Sequence, residues 1–250
     1  MTLCGSQMSR PAKLALVGLT VLLVSQVAHA APPTAITTCP FRIETPGQYY
    51  LAMDLTCPGT GITILASDVH LRLDGHTLRG LSPGDGIEAV FATDIVIQGP
   101  GTITGFSNGV TLIFVDFSRV IGVTATRNSG GGFEVVGNTS NNNLLQGNEA
   151  TLNGVGIDIS FGRENTIVNN FLMNNAGGID AVFADLNKII ANTANSNLRG
   201  ITLVASTQNE IHGNTALSNS DQDMFDNAPD CDENQWQGNR FDTANQSCIQ

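Results

Sequence analysis

Asparagine recurs in this chain at a fixed interval. The stretch from Asn143 to Asn219 reads NLLQGNEATLN, NTIVNNFLMNN, NKIIANTANSN and NEIHGNTALSN, and its leading asparagines, Asn143, Asn165, Asn187 and Asn209, step by 22 residues. Asn148, Asn170, Asn192 and Asn214 keep the same step, as do Asn153, Asn175, Asn197 and Asn219. Three registers holding one period define a repeat architecture in which similar units stack in a row. Between the asparagines stand short runs of β-branched or apolar residues. No apolar pattern runs long enough for a helical repeat, and the L-x-x-L-x-L of leucine-rich repeats is missing. What remains is an all-β solenoid, a single-stranded parallel β-helix whose coils stack at the inter-strand spacing of ~4.8 Å. Asn suits the bends because it tolerates left-handed backbone, and identical amides stacked coil upon coil bond as a ladder.

Glycines count the coils: Gly86-Ile87, Gly109-Val110, Gly132-Phe133, Gly156-Ile157, Gly178-Ile179 and Gly200-Ile201. Gly61-Ile62 opens the series and Met224-Phe225 fills the slot in a degenerate last coil, which gives roughly eight coils. Strand alternation turns Ile157, Ile159 and Phe161 inward, with Ile179, Ala181 and Phe183 above them. Phe91, Phe114, Phe161 and Phe183 share one slot, five after the Gly, and are expected to form an internal aromatic stack interrupted at Gly137.

The ends differ from the repeats. Residues 1–30 read as a cleavable signal peptide: Arg10 and Lys13, the apolar LALVGLTVLLV, then Ala28-His29-Ala30 before a cut at Ala31. The mature protein is therefore expected to be exported, periplasmic or extracellular, and not membrane-embedded. Residues 31–60, with Pro40, Pro46 and Tyr49-Tyr50-Leu51, are expected to form an N-terminal cap. Residues 61–222 form the coils, and residues 223–250 the degenerate last coil and C-terminal cap, covering edges that would otherwise join another chain. Four cysteines follow the leader: Cys39, Cys57, Cys231 and Cys248. An exported chain oxidises such cysteines, and the ends of a solenoid lie far apart, so Cys39–Cys57 and Cys231–Cys248 are the expected pairs.

The segments PGQYYLAMDLTC and VHLRLDGHTLRG, followed by the N-x-I-x-x-N coils, resemble bacterial secreted right-handed parallel β-helix repeat proteins of the pectate-lyase-like superfamily. The resemblance spans nearly all of the mature chain and implies a right-handed helix and carbohydrate as ligand class. A subset of these proteins is similar to the periplasmic copper-handling accessory of nitrous oxide reductase. The D-P-H catalytic motif of alginate epimerases is absent, and the arginine and calcium-binding aspartates of pectate lyases find no counterparts. No catalytic residue carries over.

Net charge is −11 for the whole chain, and −13 without the leader, which contains two basic residues and no acidic one. Such a surface repels nucleic acid and anionic membranes. It repels uronate polymers as well unless a cation or a basic patch intervenes. In LDGHTLRG, Asp74-Gly75 reads as a tight turn that exposes His76, a side chain able to act as a base. His70, His76 and His212 share no period, and Met53, Met173 and Met224 beside them form no spaced copper-ligand set.

The outward positions carry more. Two residues after each Gly stand Glu88, Thr111, Glu134, Asp158, Asp180 and Thr202; four after stand Val90, Ile113, Val136, Ser160, Val182 and Val204. A file of carboxylates thus runs beside an apolar stripe. Glu134, Asp158 and Asp180 occupy one slot on three consecutive coils, and three readings are open. They are an acid and base or nucleophile pair, a bridging site for a cation such as Ca²⁺, or a surface row neutralised by Arg163 or Lys188. Arg163, Arg199 and Arg119 border the strands, and Arg163, Arg199 and Glu88 are candidate substrate contacts. Two functions follow: a protein binding or acting on an extended polysaccharide along its coils, or a non-catalytic structural or adhesive module of the cell envelope. An enzyme on this plan would be a polysaccharide lyase, glycoside hydrolase or epimerase. Few aromatic residues, with Trp236 the sole tryptophan, and short loops count toward the second, but the resemblance points to carbohydrate, and binding or acting on an extended polysaccharide is the expectation.

Overall fold

The structure, a computed structural model, describes residues 1–2, 32–231 and 233–250. The expected signal peptide lies outside the described residues apart from Met1 and Thr2. From residue 32 on, the chain is a right-handed parallel β-solenoid of about nine turns. A representative coil runs Thr166–Val168, Phe171–Met173, Gly177–Val182, one strand for each of three sheets. Sheet 1 has ten strands, from Thr34–Ile36 to Gln235–Gln237; sheet 2 has nine, from Leu55–Cys57 to Arg240–Phe241; sheet 3 has nine, from Phe41–Ile43 to Gln222–Asp226. Every strand pairs in parallel with its counterpart one coil away, as in Ile157↔Ile179↔Ile201.

Alternation on three faces fills one continuous core. Ile157, Ile159, Ile167, Leu172, Ile179 and Ile189 are all fully buried. At about 25 cal/mol per Å² of apolar surface, this burial is the main favourable contribution to folding. The recurrence of Gly before the apolar residue in each coil has a steric reason. A Cβ on Gly156 would meet the carbonyl oxygen of Gly178, and one on Gly178 would meet that of Gly200.

Each asparagine register occupies one of the three corners, immediately before or near the start of a strand. The amides are buried and linked from coil to coil. Asn187 Oδ1 accepts from the backbone N–H of Asn165 at 2.9 Å and from its Nδ2 at 3.1 Å. Asn187 Nδ2 donates to Gly162 O at 3.0 Å and to Asn209 Oδ1 at 3.2 Å. The ladders through Asn148–Asn214 and Asn153–Asn219 repeat this pattern. Two run further than the 22-residue step, onto Asn234 and Asn239, and the third ends on Asp223. On the N-terminal side Ser118 Oγ takes the same acceptor role for Ile95 N–H.

The disulfides are Cys39–Cys57 and Cys231–Cys248. Each closes a loop of fewer than 20 residues, worth about 3 kcal/mol on chain-entropy grounds. Residues 34–57 contribute four strands that continue the three sheets, so the segment expected as a cap is itself the first part of the stack.

One expectation fails. The four phenylalanines are not internal: Phe91, Phe114, Phe161 and Phe183 are 74%, 36%, 51% and 54% exposed. The strands of sheet 3 end one residue earlier, and the next residue takes left-handed backbone, with φ between 50° and 64° at the four positions. That step breaks the two-residue alternation and swings the side chain outward. The rings still stack, but outside: Phe91 on Phe114 at 5.0 Å and Phe161 on Phe183 at 5.3 Å, each pair within 10° of parallel. Gly137, at φ 110°, holds the fifth position between the pairs, where a Cβ would strike the Phe114 ring.

Replacing Asn187 by Ala leaves buried donors of Asn165 without an acceptor and the carbonyl of Gly162 without its donor. Each buried group so stranded costs about 1–3 kcal/mol, and urea denaturation should show a loss of that size. Asn143→Ala should cost less: it strands the Ser118 N–H and the Val115 carbonyl, but Asn143 Oδ1 accepts from one group where Asn187 Oδ1 accepts from two. Equal and negligible losses at both sites would contradict the ladder.

Candidate functional site

The outer face of sheet 3 gathers the file expected there. In register order it runs Arg42, Thr63, Glu88, Thr111, Glu134, Asp158, Asp180, Thr202 and Phe225, one residue per coil. Neighbours in the file are one strand apart, ~4.8 Å. Beside it runs the second file, Val90, Ile113, Val136, Ser160, Val182 and Val204, each half-buried. The exposed phenylalanines rim the strand ends. At the strand starts, a cavity of about 480 Å³ is lined by Ser107, Ser129, Arg127, Phe106 and Leu152, among others.

Stacking at this distance shields each side chain with those above and below. The short threonines vanish beneath longer neighbours: Thr111, between Glu88 and Glu134, is 2% exposed, and Thr202, between Asp180 and Phe225, is 4% exposed. Both are outward-facing yet buried, and neither Oγ1 has a hydrogen-bond partner. Asp180 Oδ1 shares that condition. Thr202 lies close enough to favour the charged form of Asp180, but no hydrogen bond of normal geometry joins them.

Desolvation and mutual repulsion hold the carboxyls in their protonated form to unusually high pH. Burial, then the charges of Asp158 and Asp85, push Glu134 up to about 7. Burial and the Asp158 charge push Asp180 up to about 6 against the opposing influence of Arg199 and Thr202. Burial also raises Asp158, although Ser160 Oγ donates to its Oδ1 at 2.9 Å. Glu88 is raised by burial and by Asp85. Asn108 Nδ2 donates to Glu134 Oε2 at 2.9 Å and to Asp85 Oδ1 at 3.2 Å, joining strands on either side of its own.

The expected neutralisation by Arg163 or Lys188 does not occur. Arg163 pairs with Asp185 at 3.7 Å and Lys188 with Glu210 at 3.5 Å, since both follow the corner after sheet 3 and not its outer face. Arg199 begins a strand of sheet 3 and reaches Asp221 at 2.8 Å, with its guanidinium 5.9 Å from the Phe225 ring centre. It is the only one of the expected cations whose charge acts on the file. Arg119 lies on sheet 1. Sequence reasoning missed Asn108, Arg127 and the outward phenylalanines; the first two lack the repeat's period, and the last follow from a turn that alternation alone does not show.

A family profile described as "Periplasmic copper-binding protein (NosD)" matches residues 65–249. The chain belongs to the NosD family. No curated relative matches it. Among solved structures, the periplasmic alginate epimerase AlgG is 13% identical, with a TM-score of 0.50 over 81% of this chain and 69% of that one. The A-module of the Azotobacter vinelandii mannuronan C-5 epimerase AlgE6 is 12% identical, with a TM-score of 0.50 over 78% and 69%. At these identities the likeness is one of fold. No helix among the described residues is long and apolar enough to cross a membrane.

The NosD description names copper, and the described residues do not fit it. His70 bonds Gln98 at 2.8 Å on sheet 1, and His212 lies on the same sheet with five strands between them. His76, in the turn with left-handed Asp74, contacts Asp54 at 3.3 Å. Met224 is sealed in the core, and the four described cysteines are disulfide-bonded. No three His, Cys, Asp or Glu converge as a metal-holding set among the described residues, Glu134, Asp158 and Asp180 included.

Since folding raises these carboxyls, the folded chain binds more protons than the unfolded one between the ordinary carboxyl range and about pH 7. Stability should therefore fall as pH rises from about 5 to about 8. Glu134→Gln removes part of that dependence. Thermal melts should show the variant more stable than wild type at about pH 8, by about 1 kcal/mol once solvent screening is allowed for, with the gap closing at about pH 5.

Proposed function

We propose that this protein binds an extended polysaccharide along the outer face of sheet 3, in the periplasm, after export by a cleavable leader. One observation carries the reading: half-buried carboxyl groups stand in register on three consecutive coils, and two exposed phenylalanine pairs stack just past the ends of sheet 3 strands. A repeating polymer of hydroxyl-rich rings matches that arrangement. Its hydroxyls meet a file of acceptors, and its C–H faces meet exposed aromatic rings. The printed descriptions of AlgG and AlgE6 as alginate and mannuronan epimerases are consistent with glycan handling on this type of scaffold. The NosD description supports the periplasm. Glu134 and Asp158, on adjacent strands, have the spacing and the raised proton affinity of a carboxyl pair able to exchange a proton with a bound sugar.

The same exposed ring pairs favour a second reading, in which this ledge docks another envelope protein and no glycan binds. Phe161→Ala separates the two. Calorimetry against a panel of neutral, anionic and amino-sugar oligosaccharides should show binding that the variant weakens about fivefold, the worth of one aromatic contact. Its melting temperature should stay near that of wild type, because the ring is exposed. Absence of binding to every oligosaccharide would leave the docking reading.

A further inference from the structure

The ligand reading leaves open which polymer the file suits, and the structure narrows this. Along the file the protein offers acceptors and supplies few donors. Asn108 serves Glu134 and Ser160 serves Asp158. Asp180 Oδ1 has no donor, and the hydroxyls of Thr111 and Thr202 are buried without partners. Such groups stay unmatched only at a cost, and donors brought by a ligand relieve it.

The ligand's charge follows from the cations. Arg163, Lys188 and Arg199 face Asp185, Glu210 and Asp221, and Arg199 alone bears on Asp180. Asp85, Glu88, Glu134, Asp158 and Asp180 thus form a run of acids with little compensation, in a chain whose net charge is −11. An anionic polymer such as a uronate would meet repulsion along its whole length. A single metal ion needs several carboxylates around one point, and here they stand in a line, one per strand. A line of acceptors suits a line of donors. A primary ammonium carries three donors and one positive charge, and an amino-sugar polymer repeats it at intervals along an extended chain.

We propose that the file from Thr111 through Glu134, Asp158 and Asp180 to Thr202 binds the free amino groups of an amino-sugar polymer. This rests on the glycan reading above and names its substrate class. The ammonium groups stand against the carboxylates of Glu134, Asp158 and Asp180, and the sugar faces lean toward the phenylalanine rim.

Calorimetry on the mature chain at neutral pH tests this with four probes: a glucosamine oligomer, its N-acetylated counterpart, an oligomannuronate and Ca²⁺ alone. The expected result is that the glucosamine oligomer binds at least about tenfold more tightly than the acetylated one. Asp180→Asn, which keeps shape and removes charge, should weaken it about tenfold, and added salt should weaken it in wild type. Asp158→Asn provides a second, isosteric variant with the same direction of effect. Phe171→Ala, on sheet 2, should change nothing. Equal binding of the acetylated oligomer, preference for the mannuronate, or indifference to both variants would overturn the amine site while leaving a glycan-binding protein. Ca²⁺ binding lost in Asp180→Asn, with no response to the glucosamine oligomer, would make the file a metal site and overturn the proposal. No response to any saccharide would overturn this proposal and the glycan reading together.

Discussion

A buried primary amide that bonds upward and downward at once is the interaction on which this architecture depends. A solenoid coil must turn three corners, and each corner takes backbone N–H and C=O groups out of the sheets. Asn165, Asn187 and Asn209 resolve this by serving the corner of the coil before and accepting from its backbone N–H. Satisfying the corners internally removes the need for long covering loops. The outer faces are consequently flat, short-looped and available, and the file on sheet 3 owes its accessibility to amides buried on the other side of the strand.

The stacking that builds the fold also creates its chemistry. Identical register on successive coils places like residues directly above one another, which is favourable for amides and apolar groups and unfavourable for carboxylates. Glu134, Asp158 and Asp180 stand side by side on adjacent strands because Ile157, Ile159, Ile179 and Ala181 must be in register within. Burial raises the proton affinity of all three, and the Asp158 charge adds to it at Glu134 and Asp180. A neutral residue fits the slot, as Thr111 and Thr202 show, so the acids are no requirement of the coil.

Much of this was legible in the sequence, for a physical reason. The asparagine period reports a hydrogen-bond ladder directly, and the Gly-apolar pairs fix the register of the outward residues that follow them, which makes the carboxylate file legible. The disulfide pairs followed from the distance between solenoid ends. Features set by a single backbone angle were not legible. Alternation carried past residue four of each strand sends Phe161 and Phe183 inward, whereas φ of 64° and 50° turns them out. Ion-pair choice was equally hidden: Arg163 has Asp185 within reach around its own corner, and nothing in the spacing distinguishes that partner from the file. The ladder's continuation onto Asn234 and Asn239 is hidden from the 22-residue period because the step there is 25 residues.

The account stands or falls on whether the outward file is desolvated and uncompensated. Carbon-detected NMR titration of the Glu and Asp side-chain carboxyls in the mature chain reads this residue by residue, with Glu134→Gln supplying the assignment. The account predicts that the Glu134 carboxyl titrates near 7, well above its ordinary value of 4.5. A Glu134 midpoint at that ordinary value would mean a solvated, neutralised surface row, and would contradict a ligand site on sheet 3.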